Sequence, residues 1–261
     1  MPEITKAGIE ALKKAHKVVV IDPLPAVKDQ VGPTCGIYAL DTALRIRGVK
    51  APPPRKGHGA GPSLRQLAKE AGLTQLGELF DAVDALSLAA LAGAPDAAVH
   101  VFPDSKTLSK IVSDAVQSKR TVMFPFCVDN SVPNDSKPKY DGASPHWCLL
   151  LGAYENGGAH ALATQYGKFY DWSMDALVNS NQSLQKWDPQ KWVKVILSKH
   201  SGKDWEEVYK GYFREDGQQL KDWQAAAKRS PTKFRVTLLP RAASFNEINL
   251  ALTLKGQCVV V

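Results

Sequence analysis

The feature of this chain that most constrains its fold is a turn-forming run placed directly before an apolar stretch. Residues 30–36 read Gln-Val-Gly-Pro-Thr-Cys-Gly, and a largely apolar stretch, Ile37 to Leu44, follows. Glycine and proline favour a turn, whereas apolar residues spaced three to four positions apart are typical of one face of a helix. The pattern predicts that Cys35 opens a helix that continues over Gly36 to Arg47.

A cysteine at the first turn of a helix is suited to nucleophilic chemistry. The positive end of the helix dipole stabilises the thiolate, which is the form of cysteine that attacks carbonyl carbons. Gln30 lies five residues upstream, and its side-chain NH2 group can donate to the oxyanion that such an attack creates. The run therefore predicts Cys35 as a nucleophile and Gln30 as part of an oxyanion hole.

The other three cysteines lack such surroundings. Cys127, Cys148 and Cys258 stand in apolar segments, and the four cysteines form no CxxC pair and no metal-ligand spacing. We expect these three to be small buried hydrophobes, and all four to be free thiols in a reducing cytosol. Cys258 also opens a final Cys-Val-Val-Val that matches the loose form of a prenylation box, but the β-branched residues around it predict a terminal strand.

A catalytic cysteine needs a base beside it, because a thiol is only slightly ionised at neutral pH. The chain has six histidines, and His146 differs from the others because it opens a predicted strand. Pro145 precedes it, and the apolar run that follows predicts a strand anchored in the core. An imidazole on a rigid strand edge suits a general base, so we predict that His146 takes the thiol proton.

The imidazole in turn needs an acceptor that holds its tautomer. Residues 155–158 (Glu-Asn-Gly-Gly) predict a hairpin turn that leads from the histidine strand to a second strand. Gln165 lies on that second strand, and its amide oxygen can accept from the ring N–H. The spacing favours Gln165 or Thr164, and Asp171 is the alternative because a carboxylate suits the role electronically.

The remaining pattern predicts an α+β fold in which a helical lobe carries the cysteine and an antiparallel β lobe carries the histidine. We expect one domain over residues 1–261, helical over about 1–120 and β over about 121–261, with an insertion over 196–245. Predicted helices cover residues 3–17, 36–47, 63–71, 82–92, 105–118, 171–181 and 189–198, with irregular helix over 202–228. Predicted strands cover residues 17–21, 99–102, 121–128, 146–154, 160–166, 234–239 and 250–261.

Charge and hydropathy restrict the partners that we expect. The net charge is +7, but the basic residues are dispersed, which predicts a solvated basic surface and no nucleic-acid binding. No stretch of 18 apolar residues exists, so we expect no membrane span, and the polar N-terminal helix does not resemble a signal peptide. These features predict a cytoplasmic monomer without metal or organic cofactor, the alternative being an effector secreted into a host cytosol.

The motifs described above resemble a known family. Residues 30–36 resemble the nucleophile segment of the papain-like cysteine peptidases, and more closely that of the actin maturation protease family. Further segments resemble that family in the same order, and the likeness covers roughly residues 27–195. These segments are Ser63 to Ala71 with Gly77 to Phe80, Val122 to Phe126, Pro145 to Trp147, Thr164 to Lys168, and Trp172 to Ser173 with Leu177.

The resemblance implies a papain-like fold, with Cys35 as nucleophile, His146 as base and Gln30 as oxyanion donor. It also implies a protein or peptide substrate, with removal of an N-terminal residue from actin as the expected reaction. Two other functions stay open at this point. One is a glutamine deamidase or acyltransferase of the bacterial effector type that uses the same Cys-His site, and the other is a non-catalytic binding module on a papain-like fold.

Overall fold

The computed structural model describes residues 3–28, 30, 34–49, 63–74, 79–128, 138–142, 145–187 and 248–261. The helices there are α1 (Lys6–Ala15), α2 (Cys35–Ile46), α3 (Ser63–Glu70), α4 (Ala82–Leu91), α5 (Ser105–Gln117), α6 (Met174–Gln182) and α7 (Leu250–Thr253). The strands are β1 (Glu3–Ile4), β2 (Val19–Val20), β3 (Ala98–Val101), β4 (Val122–Cys127), β5 (Pro145–Glu155), β6 (Ala159–Gln165), β7 (Lys168–Ser173), β8 (Lys186–Trp187), β9 (Ile248–Asn249) and β10 (Gln257–Val260). Helices combined with an antiparallel sheet confirm the predicted α+β class.

Eight of the strands form one antiparallel sheet, in the order β1-β7-β6-β5-β4-β10-β3 with β2 beside β5. The longest strand, β5, lies between β4 and β6, and its start pairs with the end of β4. There Pro145 is opposite Cys127 and His146 is opposite Phe126. His146 therefore stands near the beginning of a strand whose later residues are held by neighbours on both sides.

Helices cover both faces of this sheet. Alternate residues of a strand point to opposite faces, and one face carries Trp147 and Leu149 packed with residues of α1, α2, α3 and α4. The other face carries Cys148 and Leu150 packed with residues of α5 and α6. The strands β1, β2 and β3 come from the first 120 residues, so the sheet combines strands from the part predicted as helical with strands from the part predicted as β.

Two of the predicted elements are confirmed over part of their length. The helix predicted over 171–181 is α6, but it begins only at Met174, because β7 runs to Ser173. Ser173 caps that helix by accepting from the N–H of Ala176 at 3.5 Å. The predicted strand over 250–261 is the short helix α7 followed by β10, and a glycine at φ +68, Gly256, separates the two.

Some of the remaining predictions concern residues outside the described part of the chain, and others concern residues within it. The elements predicted at 189–198, 202–228 and 234–239, and the insertion predicted over 196–245, lie outside the described residues. All four cysteines are free thiols, as predicted. Cys258 lies fully buried in β10, between β3 and β4, which confirms the terminal strand. Within the described residues, no helix combines the length and the apolar character that crossing a membrane requires.

Candidate active site

Helix α2 begins at Cys35, the position that the turn-forming run predicts. Its apolar residues Ile37, Leu40 and Leu44 are fully buried and anchor the helix in the core beside the sheet. Asp81 and Asp104 cap α4 and α5 with their side chains, but Thr34 makes no such capping hydrogen bond to α2. Cys35 is partly exposed, so the thiol stands at the positive end of the helix dipole, where an anion is favoured.

Trp147 connects the start of α2 to the strand that carries His146. Its backbone N–H donates to the sulfur of Cys35, with an N···S distance of 3.4 Å, and its indole N–H donates to the carbonyl of Leu79 at 2.7 Å. Standard peptide geometry then puts the sulfur within about 6 Å of the Cα of His146. A hydrogen bond donated to sulfur also favours the thiolate.

Gly36 allows this close contact. A Cβ atom at residue 36 would lie 3.0 Å from Cδ1 of Leu79 and 3.1 Å from Cδ1 of Trp147. Both distances are shorter than an ordinary contact between carbon atoms. The glycine after the cysteine therefore lets the indole pack directly against the first turn of α2.

Aromatic rings enclose the imidazole of His146, which is 4% exposed. Phe126 meets it edge to face, with ring centroids 5.6 Å apart, and Tyr166 stacks on it with centroids 4.8 Å apart and planes at 27°. The hydroxyl of Tyr166 lies 3.4 Å from Nδ1. Phe126 belongs to the core on the α5 and α6 face, whereas Trp147 belongs to the core on the α2 face. The imidazole is therefore in contact with a ring of the core on the α5 and α6 face, although its backbone is next to Trp147.

Burial controls the protonation of this histidine. It lowers the pKa of His146 from 6.5 to about 3, because the charged imidazolium loses its hydration, and the side chain of Gln165 acts in the opposite direction. Nε2 is buried and makes no well-formed hydrogen bond within the described residues. In this conformation His146 is therefore neutral at physiological pH.

A small cavity lies in front of Cys35. Its volume is about 20 Å3, which is the space of roughly one water molecule. Three of the four predicted site residues line it, namely Gln30, Cys35 and Gln165, but His146 does not. The structure therefore brings the thiol, the predicted oxyanion donor and the predicted orienting amide together around one cavity. The imidazole of His146 does not line this cavity. The other lining residues include Tyr38, Trp147, Thr164, Tyr166 and Gly167.

The two alternatives to Gln165 are engaged elsewhere. Thr164 donates its hydroxyl to the carbonyl of Lys168 at 2.8 Å. Asp171 accepts from the hydroxyl of Tyr154 at 2.7 Å and lies 2.9 Å from Nδ1 of His160. Both oxygens of Asp171 thus contact groups other than His146.

The remaining cysteines are poor nucleophiles. Burial raises the pKa of Cys258 to about 12 and that of Cys148 well above its usual range. Cys127 is fully buried, and its thiol donates to a carboxylate oxygen of Asp141 at 2.9 Å. Reactive cysteines are partly exposed and favour the thiolate, and Cys35 has those surroundings.

Tyr166, which lines the cavity and stacks on His146, was not among the predicted site residues. One signal could have found it, because Tyr166 directly follows the predicted orienting residue Gln165. It also precedes Gly167, and a glycine there marks a tight turn between β6 and β7. Its side chain was therefore to be expected at the same end of the sheet as His146.

Comparison with protein families gives a match over the part of the chain that carries the cysteine and the histidine. Residues 26–154 match the family described as actin maturation protease-like, C-terminal domain. The matched segment includes Gln30, Cys35 and His146, and it ends before Gln165. No curated protein matches the chain. The match confirms the resemblance that was drawn from the sequence motifs.

Proposed function

Residues 26–154 belong to the actin maturation protease-like family, and on that premise we propose that this chain is a cysteine peptidase with Cys35 as its nucleophile. The thiolate sulfur attacks the carbonyl carbon of a peptide bond, and the carbonyl oxygen takes up the electron pair. The amine then leaves with a proton, and a thioester remains on Cys35. Water attacks the thioester, which releases the acid and restores the thiol.

One observation carries this proposal, the hydrogen bond from the N–H of Trp147 to the sulfur of Cys35. The two residues are 112 positions apart in the chain, so the fold joins the cysteine to the strand that begins with the histidine. The dipole of α2 and the Trp147 N–H both favour the thiolate. His146, one residue before Trp147, is the group that takes the thiol proton and later gives it to the leaving amine.

The oxyanion needs donors in front of the sulfur. Gln30 lines the same cavity as Cys35, and its amide group can donate to the oxygen of the tetrahedral intermediate together with the backbone N–H of Cys35. In comparable sites one such donor contributes about 3 kcal/mol to stabilisation of the transition state. Gln165, which raises the pKa of His146 against the effect of burial, is the group that orients the imidazole.

The family name suggests actin as a substrate, and the resemblance implies removal of its N-terminal residue, so we propose actin or a similar protein. Cells that express the wild-type chain are compared with cells that express Cys35→Ala, by mass spectrometry of protein N-termini with actin inspected first. Loss of terminal residues only with the wild type supports the peptidase. A substrate that instead gains the small mass of an amide turned into an acid would identify a deamidase, and no difference between the two cell lines contradicts catalysis by Cys35.

A further inference from the structure

Tyr166 occupies a turn position that its residue type does not favour. It lies at φ +46 beside Gly167 at φ +70, between the paired residues Gln165 and Lys168. Two-residue hairpin turns with positive φ at both positions favour asparagine, aspartate or glycine first, and Asn-Gly is the preferred pair. A bulky aromatic residue with positive φ is an outlier. Such outliers concentrate at functional sites, so the ring of Tyr166 calls for an explanation beyond the turn.

The side chain of Tyr166 contacts one predicted catalytic group and lines the cavity of the other. It stacks on His146 and its hydroxyl lies 3.4 Å from Nδ1. Tyr166 also lines the cavity in front of Cys35, whereas His146 does not line it. The side chain therefore covers the imidazole and at the same time forms part of the wall of the space in which the thiol would react.

The imidazole is closed off in this arrangement. His146 is 4% exposed, and it does not line the cavity that Gln30, Cys35 and Gln165 share. A neighbouring group must move before the imidazole can reach that cavity. Tyr166 is at the tip of a two-residue hairpin, while Trp147 on the same wall is held in β5 by its indole bond to Leu79. Tyr166 is thus the residue at a hairpin tip that both lines the cavity and stacks on the imidazole.

We propose that Tyr166 is a gate over His146, which closes the site in the absence of substrate and opens when substrate displaces its ring. Opening enlarges the cavity and uncovers the imidazole at the edge of the sheet, where it can turn toward Cys35. Tyr166 is a positioning residue in this scheme and takes no part in bond making. The inference rests on the proposed Cys35–His146 chemistry, and it adds a closed state to it.

The test measures the rate at which iodoacetamide alkylates Cys35, followed by mass spectrometry of the Cys35 peptide between pH 5 and 9. The principal variant is Tyr166→Asn, because asparagine fits the positive φ and should preserve the hairpin. If the uncovered imidazole pairs with the thiol and lowers the thiol pKa by one unit, alkylation below neutral pH rises about tenfold. The same substitution in a His146→Ala background should give no such rise. Tyr166→Phe, which keeps the ring, should stay close to the wild type.

Tyr38→Ala is the matched control for simple access. Tyr38 lines the same cavity from α2, so its removal enlarges the cavity and leaves the ring that stacks on His146 in place. We expect any faster alkylation in Tyr38→Ala to be the same with and without His146. A rise for Tyr166→Asn that is equally independent of His146 would overturn the gate, as would an unchanged or slower rate.

The gate and the peptidase can fail separately. A His146-dependent rise in Tyr166→Asn supports the gate even if no peptide is cleaved. If Cys35→Ala abolishes cleavage of cellular N-termini while Tyr166→Asn alkylates like the wild type, the peptidase stands and the gate is wrong. Thermal unfolding of each variant, followed by circular dichroism, checks that the fold is retained before the rates are compared.

Discussion

His146 and His160 lie on neighbouring strands of one sheet, β5 and β6, but their surroundings are opposite. His146 is 4% exposed, is enclosed by Phe126 and Tyr166, and has an amide neighbour in Gln165. The side chain of His160 is 25% exposed, and its Nδ1 lies 2.9 Å from a carboxylate oxygen of Asp171. The carboxylate thus lies beside His160, whereas Trp147, which donates to the thiol of Cys35, is next to His146 in the chain.

The region around His160 has the contacts of a structural network. Asp171 on β7 joins His160 on β6 to Tyr154 on β5, so the three side chains connect three adjacent strands. Burial raises the pKa of Tyr154 well above its usual range, and its bond to Asp171 acts in the same direction. Under the proposed mechanism, a His-Asp pair does not by itself mark the reactive site, because the position of a histidine relative to Cys35 decides its role.

The largest expected effect is the difference in hydrolytic activity between His146→Ala and His160→Ala. His146→Ala should lower Cys35-dependent hydrolysis by about 10²–10⁴-fold, the usual contribution of a general base. His160→Ala should change it by less than about threefold, because its carboxylate and phenol partners are outside the cavity. Both are measured as initial rates of N-terminal cleavage on one substrate. Equal losses in the two variants would remove the distinction drawn here.

Gln165→Ala tests the orienting group against its rival. We expect a loss of about tenfold to hundredfold in kcat, smaller than the loss of the base itself, since the imidazole remains but is less well held. Asp171→Ala should leave kcat nearly unchanged and instead lower the free energy of unfolding by about 1–3 kcal/mol, because Tyr154 loses a buried acceptor. Turnover and urea unfolding are measured on both variants. A larger kcat loss in Asp171→Ala would assign the orienting role to the carboxylate.

The dependence of the free energy of unfolding on pH should also distinguish His146 from His160. Because burial lowers the pKa of His146 to about 3, the unfolded chain binds this proton below pH 6.5 while the folded chain does not. The free energy of unfolding should therefore fall as pH drops from 6.5 toward 3, by up to about 1.4 kcal/mol per unit. This fall in the free energy of unfolding should be absent from His146→Ala and should remain in His160→Ala. Urea unfolding at pH 7, 6 and 5 measures the slope, and an unchanged slope in His146→Ala would contradict a buried, neutral imidazole.

Local sequence patterns were sufficient to predict the elements that carry the two main residues of the proposed site. A turn before a helix, and a proline before an apolar strand, are local signals, and they located Cys35 and His146 near the beginnings of α2 and β5. The hairpin from β5 to β6 follows from the turn residues Asn156 to Gly158. These elements were predictable because residues close in the chain specify them.

The features that sequence reasoning missed depend on distant contacts or on strain. β7 has buried side chains on both faces, Tyr170 and Trp172 on one and Phe169 on the other, so it lacks the alternation of a half-buried strand. It also leads into α6 without a loop, so the end of β7 was included in the helix predicted over 171–181. The backbone of Tyr166 departs from the preference of its residue type, and no local pattern announces such a departure.

The smallest expected effect concerns the packing of Trp147, the neighbour of His146, against the first turn of α2. His160 takes no part in this contact. Gly36→Ala gains helix propensity worth roughly 0.5–1 kcal/mol, but its Cβ would press on Leu79 and Trp147 at 3.0 and 3.1 Å. Overpacking costs about 1–3 kcal/mol, so we expect a net destabilisation of about 1 kcal/mol in urea unfolding. Leu79→Ala removes one of the two pressing groups, and in that background Gly36→Ala should become less destabilising. Additive effects of the two substitutions would mean that the first turn of α2 is not packed tightly by Leu79.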